Sequence, residues 1–195
     1  MGRCSTITRN TKETKITATL ELDGSGKADL KTGIGFFDHM MEGFARHGFF
    51  DTVLTIEGDQ EVDNHHSVED AGIVLGQAIR EAVGDKIGMK RYGSCILPMD
   101  ETLCMCAIDL CNRPYFSFDY EFTTERVGEL ETELVREFFY AISYSAGMNL
   151  HIRILDGVNQ HHIIEAIFKS FARALDEATQ IDSRLTEVLS TKGSI

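Results

Sequence analysis

The sequence predicts an α+β protein made of two copies of one half-domain, packed as one compact unit. The element order strand–strand–helix–strand–helix can be followed twice along the 195 residues. An adjacent histidine pair with a glutamate three residues after it also occurs twice, in DNHHSVED at 63–70 and NQHHIIEA at 159–166. The strands before the two pairs align at the same offset of 96 residues. We therefore divide the chain into halves at residues 1–92 and 93–195.

The first half begins with a segment, ETKITATLEL at 13–22, whose alternating apolar residues predict a strand. The turn sequence DGSG follows at 23–26. Gly48 ends a short helix, and Asp63 or Asn64 is the expected N-cap of the helix that the first histidine pair opens. The predicted elements are strands at 13–22, 27–32 and 50–57 and helices at 36–47 and about 65–83.

The second half restarts with ETLCMCAIDL at 101–110, a strand that begins with Glu-Thr as the first half does. NRP at 112–114 marks a turn, and Gly147 ends a helix. The predicted elements are strands at 101–110, 115–122 and 149–155 and helices at 130–146 and about 161–179, with a less regular tail. The pattern leaves open whether the helices lie between the two sheets or outside them.

Composition excludes several classes of protein. The net charge of −12 argues against a nucleic-acid binder, which would carry a basic surface. No apolar run approaches the roughly 18 residues of a membrane span, and the N-terminal segment has no apolar core of the signal-peptide type. The cysteines are odd in number and form no CxxC motif, which argues against zinc-ribbon or thioredoxin chemistry. Cys104 and Cys106 alternate along a predicted strand as small apolar residues, and we infer a reduced, cytoplasmic protein.

The histidine pairs favour a metal site. On a helix, residues four apart share a face, so His65 can act with Glu69 and His161 with Glu165. The second histidine of each pair points about 100° away, so one helix can offer ligands to two metals or to two subunits. A single such pair is usually solvated or caps the helix, but two copies with the same spacing favour metal binding.

Two further histidines, His39 in GFFDHM and His151 in NLHIRI, each precede the pair of their own half. They complete six imidazoles and two carboxylates, enough for two sites of three imidazoles and one carboxylate. Imidazole and carboxylate ligands without a thiolate suit Mn, Fe, Co, Ni or Zn. An octahedral site with coordination positions left open favours manganese or ferrous iron over a closed structural zinc site. Each of the two has an alternative to the ligand role. His39 can be a polar residue near the start of a helix, and His151 can be a hydrogen-bonded histidine on an edge strand.

Cations near these motifs point to an anionic substrate. Lys169 continues the face of His161 and Glu165, whereas the first half has Ile73 in the matching place, which hints at an asymmetric substrate site. An acidic protein that binds an anion needs local cations. Our candidates for this contact are Arg91, Arg113 and Lys192.

A set of longer motifs extends over about residues 3–193: GFFDHM, RHGFFD, DNHHSVEDAGIVLGQA, RPYF, RVGELETELVREFF, NLHIRILDGVNQHHIIEAIFKSFARAL and the terminal STKG. Together these motifs resemble the imidazoleglycerol-phosphate dehydratase family. The resemblance implies the monofunctional form and a fold related to the ribosomal protein S5 domain 2-like group. It also implies a lyase of histidine biosynthesis, which removes water from imidazole glycerol phosphate to give imidazole acetol phosphate.

The resemblance further implies two Mn(II) ions per active site, other divalent first-row metals being possible, in a site shared between subunits. It implies a homo-oligomer of 24 chains built from trimers. The implied metal ligands are His39, His65, His66, Glu69, His151, His161, His162 and Glu165. The catalytic candidates are Glu13, Glu69, Glu165 and Lys169. The substrate-binding candidates are Glu13, His39, His47, Arg91, Arg113, Lys169, Ser190, Thr191 and Lys192. Gly43 departs from the glutamine of many members.

Two other classes of function remain open. A metal-dependent hydrolase would use the same ligands to activate water. A metal-storage shell would bind metal but no phosphate ester, and the basic set Arg91, Arg113 and Lys192 argues against it. Neither the dehydratase nor its rivals requires a redox cofactor.

Overall fold

The computed structural model describes residues 2–195, and over this range it contains four α-helices and two four-stranded sheets. The first half holds β1 (Cys4–Asn10), β2 (Thr14–Glu21), β3 (Ala28–Lys31), α1 (Gly35–Gly48), β4 (Asp51–Gly58) and α2 (His65–Val83). The second half holds β5 (Tyr92–Met99), β6 (Thr102–Asp109), β7 (Tyr115–Asp119), β8 (Arg126–Val127), β9 (Leu130–Glu131), α3 (Glu133–Ala146), β10 (Asn149–Asp156) and α4 (Gln160–Thr179).

The two sheets have the same topology. The strand order is β1-β2-β4-β3 in the first and β5-β6-β10-β7 in the second. In each sheet three strands pair antiparallel, and the fourth, β3 or β7, runs parallel to its neighbour. This confirms the predicted α+β fold with a duplicated half-domain. The division after residue 92 stays a prediction, as does the S5-like label; β5 begins at Tyr92.

The prediction missed one edge strand in each sheet, β1 and β5. Strand β1 buries only Ser5 and carries polar residues along most of its length, so it lacks the apolar alternation of a strand. Strand β5 contains Pro98, which has no N–H for a central ladder and is tolerated because β5 lies at the edge. Helix α3 was also predicted too early, because Leu130 belongs to the short β8–β9 hairpin. The strand predicted at 115–122 ends at Asp119.

The four helices lie between the two sheets, which answers the question that the sequence left open. Helix α2 packs on β1 and β2, and α4 packs on β5 and β6; across the middle, α2 contacts α3 and α1 contacts α4. Gly72 and Gly76 allow the backbones of α2 and α3 to lie close together. A Cβ on Gly72 would lie 2.6 Å from the Phe138 carbonyl oxygen, and a Cβ on Gly76 would lie 2.8 Å from the Ile142 carbonyl oxygen. Across residues 2–195 no helix combines the length and apolar character needed to cross a membrane.

Aromatic rings fill the centre of the helical layer. Phe139 on α3 is fully buried, with ring centroids 4.9 Å from Phe168, 5.2 Å from Phe138 and 5.2 Å from Phe171. These edge-to-face contacts add to the free energy gained by removing the rings from water. Because Phe168 and Phe171 belong to α4, the cluster fixes the helix that carries the second histidine pair.

Phe139→Ala should lower the free energy of unfolding by about 3–5 kcal/mol, because it leaves a cavity among buried rings. The neighbouring Tyr140 is 40% exposed and serves as the matched control. Tyr140→Ala should cost about 1 kcal/mol or less, the worth of an exposed aromatic contact. Chemical denaturation of both variants at one protein concentration checks this. Equal shifts of the two midpoints would contradict the assignment of Phe139 to the core.

Candidate functional site

The site is built on the first turns of the two long helices. At α4, the Asn159 side chain accepts hydrogen bonds from the backbone N–H groups of His161 and His162, at 3.0 and 3.4 Å. At α2, the residue that caps by its side chain is Asp63, which accepts from the His65 N–H at 2.8 Å. Asn64 instead donates to Glu129 and Glu131. Both helices therefore begin where a capping oxygen ends the preceding loop.

His39 on α1 converges with His161 and Glu165 on α4. One ligand atom of each residue lies within 4.8 Å of those of the other two. His161 Nε2 is 3.4 Å from Glu165 Oε2, and Phe36 packs edge-on against the His161 ring at 5.0 Å between centroids. Within residues 2–195, this is the one cluster of at least three His, Cys, Asp or Glu side chains close enough to hold a metal ion.

Lys169 adds a positive charge to this cluster, and its Nζ lies 2.7 Å from Glu165 Oε1. Burial alone would raise the pKa of Glu165, but the hydrogen bond and charge of Lys169, helped by His39 and His161, lower it overall. The Glu165 carboxylate is therefore ionised at neutral pH. Burial, with the charge of Lys169, lowers the pKa of His47, so that imidazole is neutral at neutral pH.

A cavity of about 340 Å³ opens beside the cluster, and His39, Gly43, His47, Glu165 and Lys169 are among its lining residues. A Cβ placed on Gly43 meets no heavy atom within 4 Å. The glycine thus leaves open the space that a glutamine side chain would enter. One cavity is therefore lined by two of the substrate candidates, His47 and Lys169, and by two of the predicted ligands, His39 and Glu165.

The first histidine pair forms a second group on α2. His65 Nε2 is 3.8 Å from Glu69 Oε2, so the i, i+4 pairing of α4 is repeated. His66 Nε2 lies 4.0 Å from the carboxylate of Glu13, in the turn between β1 and β2. The buried Asp70 holds this turn by accepting a 2.5 Å hydrogen bond from the Thr14 hydroxyl. The structure therefore places the predicted proton-transfer residue Glu13 beside a predicted ligand.

The outward-facing histidine of each pair contacts a carboxylate that we did not predict. His66 Nδ1 is 3.0 Å from Asp59, and His162 Nδ1 is 2.8 Å from Glu101. The hydrogen bond with His162 and two backbone N–H donors lower the pKa of Glu101 to about 2. The contact with Glu101 in turn raises the pKa of His162. Glu101 could have been found from its position, since it begins the second half as Glu13 begins the first.

His151 lies apart from these groups within one chain. Leu150 and Ile152 on either side of it are buried toward the helices, so strand alternation directs His151 to the opposite face of the sheet. There its ring packs on Tyr115, at 5.4 Å between centroids. Its predicted role as a ligand therefore depends on a neighbouring chain, and it stays a prediction.

The duplication also indicates a carboxylate that the sequence analysis overlooked. Helices α1 and α3 each have 14 residues with similar burial, and His39 and Glu137 are the fifth residue of each. In the duplication α1 corresponds to α3 and α4 corresponds to α2. The contact between α1 and α4 is therefore equivalent to the contact between α3 and α2. Glu137 therefore takes on α3 the position that His39 takes on α1, but within residues 2–195 it joins no cluster of three or more possible metal ligands.

The predicted anion-binding residues surround a separate cavity of about 610 Å³. Its lining includes Arg91, Arg113, Ser190, Thr191 and Lys192. The tail is irregular, as predicted, and is tied to the body of the protein by backbone and side-chain hydrogen bonds.

Arg91 has a structural task beside this cavity. It donates to the Asp109 carboxylate at 2.7 and 3.1 Å and to the Leu189 backbone oxygen at 2.7 Å. It therefore holds the tail, and two of its five N–H donors remain for an anion.

The donor set suits a divalent cation of intermediate hardness. Two imidazoles and an ionised carboxylate, with no thiolate among them, match the ligands of manganese, ferrous iron or zinc. Three protein ligands at one cluster leave coordination positions open for a further chain, water or substrate.

Comparison with known proteins gives the family. The family model described as imidazoleglycerol-phosphate dehydratase matches residues 32–175. The imidazoleglycerol-phosphate dehydratase of Lachnoclostridium phytofermentans is 62% identical over 195 residues, 100% of both chains. That of Acetivibrio thermocellus is 54% identical over 195 residues, again 100% of both chains.

Solved structures agree with these sequence matches. The imidazoleglycerol-phosphate dehydratase from Staphylococcus aureus subsp. aureus N315 matches with a TM-score of 0.83 and 38% identity, over 92% of this chain and 99% of that one. IGPD from Pyrococcus furiosus in complex with (S)-C348 matches with a TM-score of 0.84 and 34% identity, over 97% of this chain and 100% of that one. The chain belongs to the imidazoleglycerol-phosphate dehydratase family of enzymes.

Proposed function

We propose that this enzyme removes water from imidazole glycerol phosphate and releases imidazole acetol phosphate, in histidine biosynthesis, with two divalent metal ions per active site. Mn(II) is the proposed metal, since it accepts imidazole with carboxylate and keeps open positions. Family membership supports the reaction. The proposed metal dependence rests on a single observation, the convergence of His39, His161 and Glu165.

The proposed ligands form separate groups in one chain, which supports an active site shared between chains. One group centres on His161 and the other on His65, and each offers histidines in two directions. A neighbouring chain would bring complementary groups together, as in a homo-oligomer of 24 chains built from trimers. We propose the eight predicted ligands, with His151 acting only if a neighbouring chain approaches its sheet face.

The chain's own residues bind and orient the substrate. Arg91, Arg113 and Lys192 hold the phosphate in the 610 Å³ cavity, aided by the Ser190 and Thr191 hydroxyls. The neutral imidazole of His47 lines the other cavity and can accept or donate a hydrogen bond there.

We propose Glu13 as the residue that transfers a proton, with Lys169 as a second catalytic candidate. Dehydration takes a proton from one carbon and hydroxide from its neighbour, so a group near the metal ligands must accept and return a proton. Glu13 has an exposed carboxylate 4.0 Å from His66 Nε2 and suits this task. Glu165 would hold a metal ion together with His39 and His161, and the Lys169 ammonium, which lines the same cavity, would then be available to the substrate. Bound metal ions supply positive charge that orients the substrate ring and favours loss of its N–H proton.

The rival functions differ in what they release. A metal-dependent hydrolase would release inorganic phosphate, whereas a storage shell would release nothing and has no use for the cationic cavity.

The five cysteines are free in the part of the chain that the structure describes, which supports a proposed location in the reducing cytoplasm.

The direct test is an assay with imidazole glycerol phosphate, with and without Mn(II) after chelation. We expect imidazole acetol phosphate only when metal is restored, with no inorganic phosphate. Release of phosphate would favour the hydrolase. No turnover at any metal concentration, with a folded protein, would reject the proposal.

Glu165→Gln should bind Mn(II) weakly and lose most activity, because the amide keeps the shape but loses the charge that holds a hard cation. We expect a fall in kcat of at least about 100-fold, on the order of 3 kcal/mol of transition-state stabilisation. Glu177→Gln, on the same helix, is the control, since the amide oxygen can still accept from the Ser94 N–H. Metal titration and turnover measure both variants. A Glu165→Gln enzyme with wild-type metal content and rate would show that Glu165 is not a ligand.

Lys192→Ala should lower kcat/KM by roughly tenfold or more with metal content unchanged, since a charged contact to phosphate is worth about 1.5–3 kcal/mol. Arg184→Ala is the matched control, because Arg184 is a tail cation paired with Asp182. A chain truncated after Leu189 gives a second check, since it retains the Leu189 carbonyl that Arg91 holds. Unchanged kcat/KM in the truncated chain would mean that the tail does not bind substrate.

A further inference from the structure

The second histidine of each pair is held at Nδ1 by a carboxylate from outside its own helix. Asp59 follows β4 and contacts His66 Nδ1 at 3.0 and 3.2 Å through its two oxygens. Glu101 lies in the turn between β5 and β6 and contacts His162 Nδ1 at 2.8 Å. The same arrangement therefore occurs in both halves.

This contact determines which ring nitrogen is available. A carboxylate only accepts hydrogen bonds, so the imidazole must carry its proton on Nδ1. The neutral ring then has its lone pair on Nε2 and presents that atom to a cation. The negative charge beside Nδ1–H also makes Nε2 a stronger donor to a metal.

The two carboxylates are not counterparts in the duplication. Glu101 corresponds to Glu13, because each directly precedes a buried threonine, Thr102 or Thr14, that begins the second strand of its sheet. Asp59 directly follows β4, whereas the residue that directly follows β10 is Gly157, which has no side chain. The halves thus hold equivalent histidines with carboxylates from different positions.

We propose that Asp59 and Glu101 are positioning residues that fix His66 and His162 with Nε2 toward a divalent cation. In the second half Glu101 contacts Nδ1 of His162. In the first half Asp59 makes the equivalent contact with His66, so Glu13, the counterpart of Glu101, is not needed for it. The Glu13 carboxylate therefore stays available to the substrate. The inference rests on the proposed metal-dependent function, which it deepens by naming residues that act through the ligands.

The test measures Mn(II) affinity directly, from the free Mn(II) signal in electron paramagnetic resonance titrations. Asp59→Asn and Glu101→Gln keep an acceptor oxygen but lose the charge, and each should weaken Mn(II) binding about 10–100-fold. Glu57→Gln is the matched control, since Glu57 is an exposed carboxylate near Asp59 with Lys15 as its ion-pair partner, and its affinity should be that of the wild type. Asp59→Glu keeps the charge and should bind more tightly than Asp59→Asn.

A second readout separates positioning from folding. Raising Mn(II) should restore most turnover in Asp59→Asn and Glu101→Gln, because the defect lies in affinity. The metal-free variants should also unfold at the denaturant midpoint of the wild type, which a folding defect would lower. A variant that binds Mn(II) as tightly as Glu57→Gln, or whose loss is not restored by Mn(II), overturns the assignment for that carboxylate. If the wild type itself binds no Mn(II), the proposed function fails; if the wild type binds and the variants equal it, only this inference fails.

Discussion

A capping oxygen at the start of each long helix sets the position of every candidate ligand on that helix. Asn159 and Asp63 accept backbone N–H groups that would otherwise lack partners, so α4 begins one residue before its histidine pair and α2 begins at the first histidine of its pair. From that start, helical geometry aligns His161 with Glu165 and turns the next histidine outward. A shift of the start by one residue would rotate the ligands by about 100° and separate them from the groups on neighbouring elements. The site is therefore a consequence of where the loop before each helix ends.

Charge compensation is the second constraint, because the half-buried Glu165 carboxylate needs a positive partner. Lys169 supplies that charge at 2.7 Å in the metal-free chain. A bound metal ion would take over this role and leave the lysine to the substrate, so one carboxylate links metal binding to substrate binding. In the first half Ile73 stands in place of Lys169, and the two halves therefore offer different chemistry from the same backbone. The two halves share one scaffold, and they differ at a few positions, including Asp59 and Lys169, that separate their tasks.

The sequence predicted the duplicated α+β fold and the long helices because their apolar periodicity and histidine pairs are local signals. It missed β1 and β5, since edge strands need little apolar alternation and tolerate Pro98. The sequence analysis also missed two carboxylates that contact the histidine pairs: Asp59 lies in the loop seven residues before His66, and Glu101 reaches His162 across 61 residues. Glu137 emerged only when the helices of the two halves could be compared in register. His151 shows the reverse case, since its spacing suggested a ligand while strand alternation turns it away from α4.

The proposed active site is completed by residues from different chains. Glu69→Gln and Glu165→Gln each remove one proposed ligand, from groups that stay separate within one chain. The decisive measurement is the activity of the two purified variants after they are mixed, stripped of metal, and reassembled with Mn(II). If each site takes Glu69 from one chain and Glu165 from another, random mixing should leave about a quarter of the sites with both carboxylates, and activity should return to about that fraction. A mixture no more active than the separate variants would contradict the shared site.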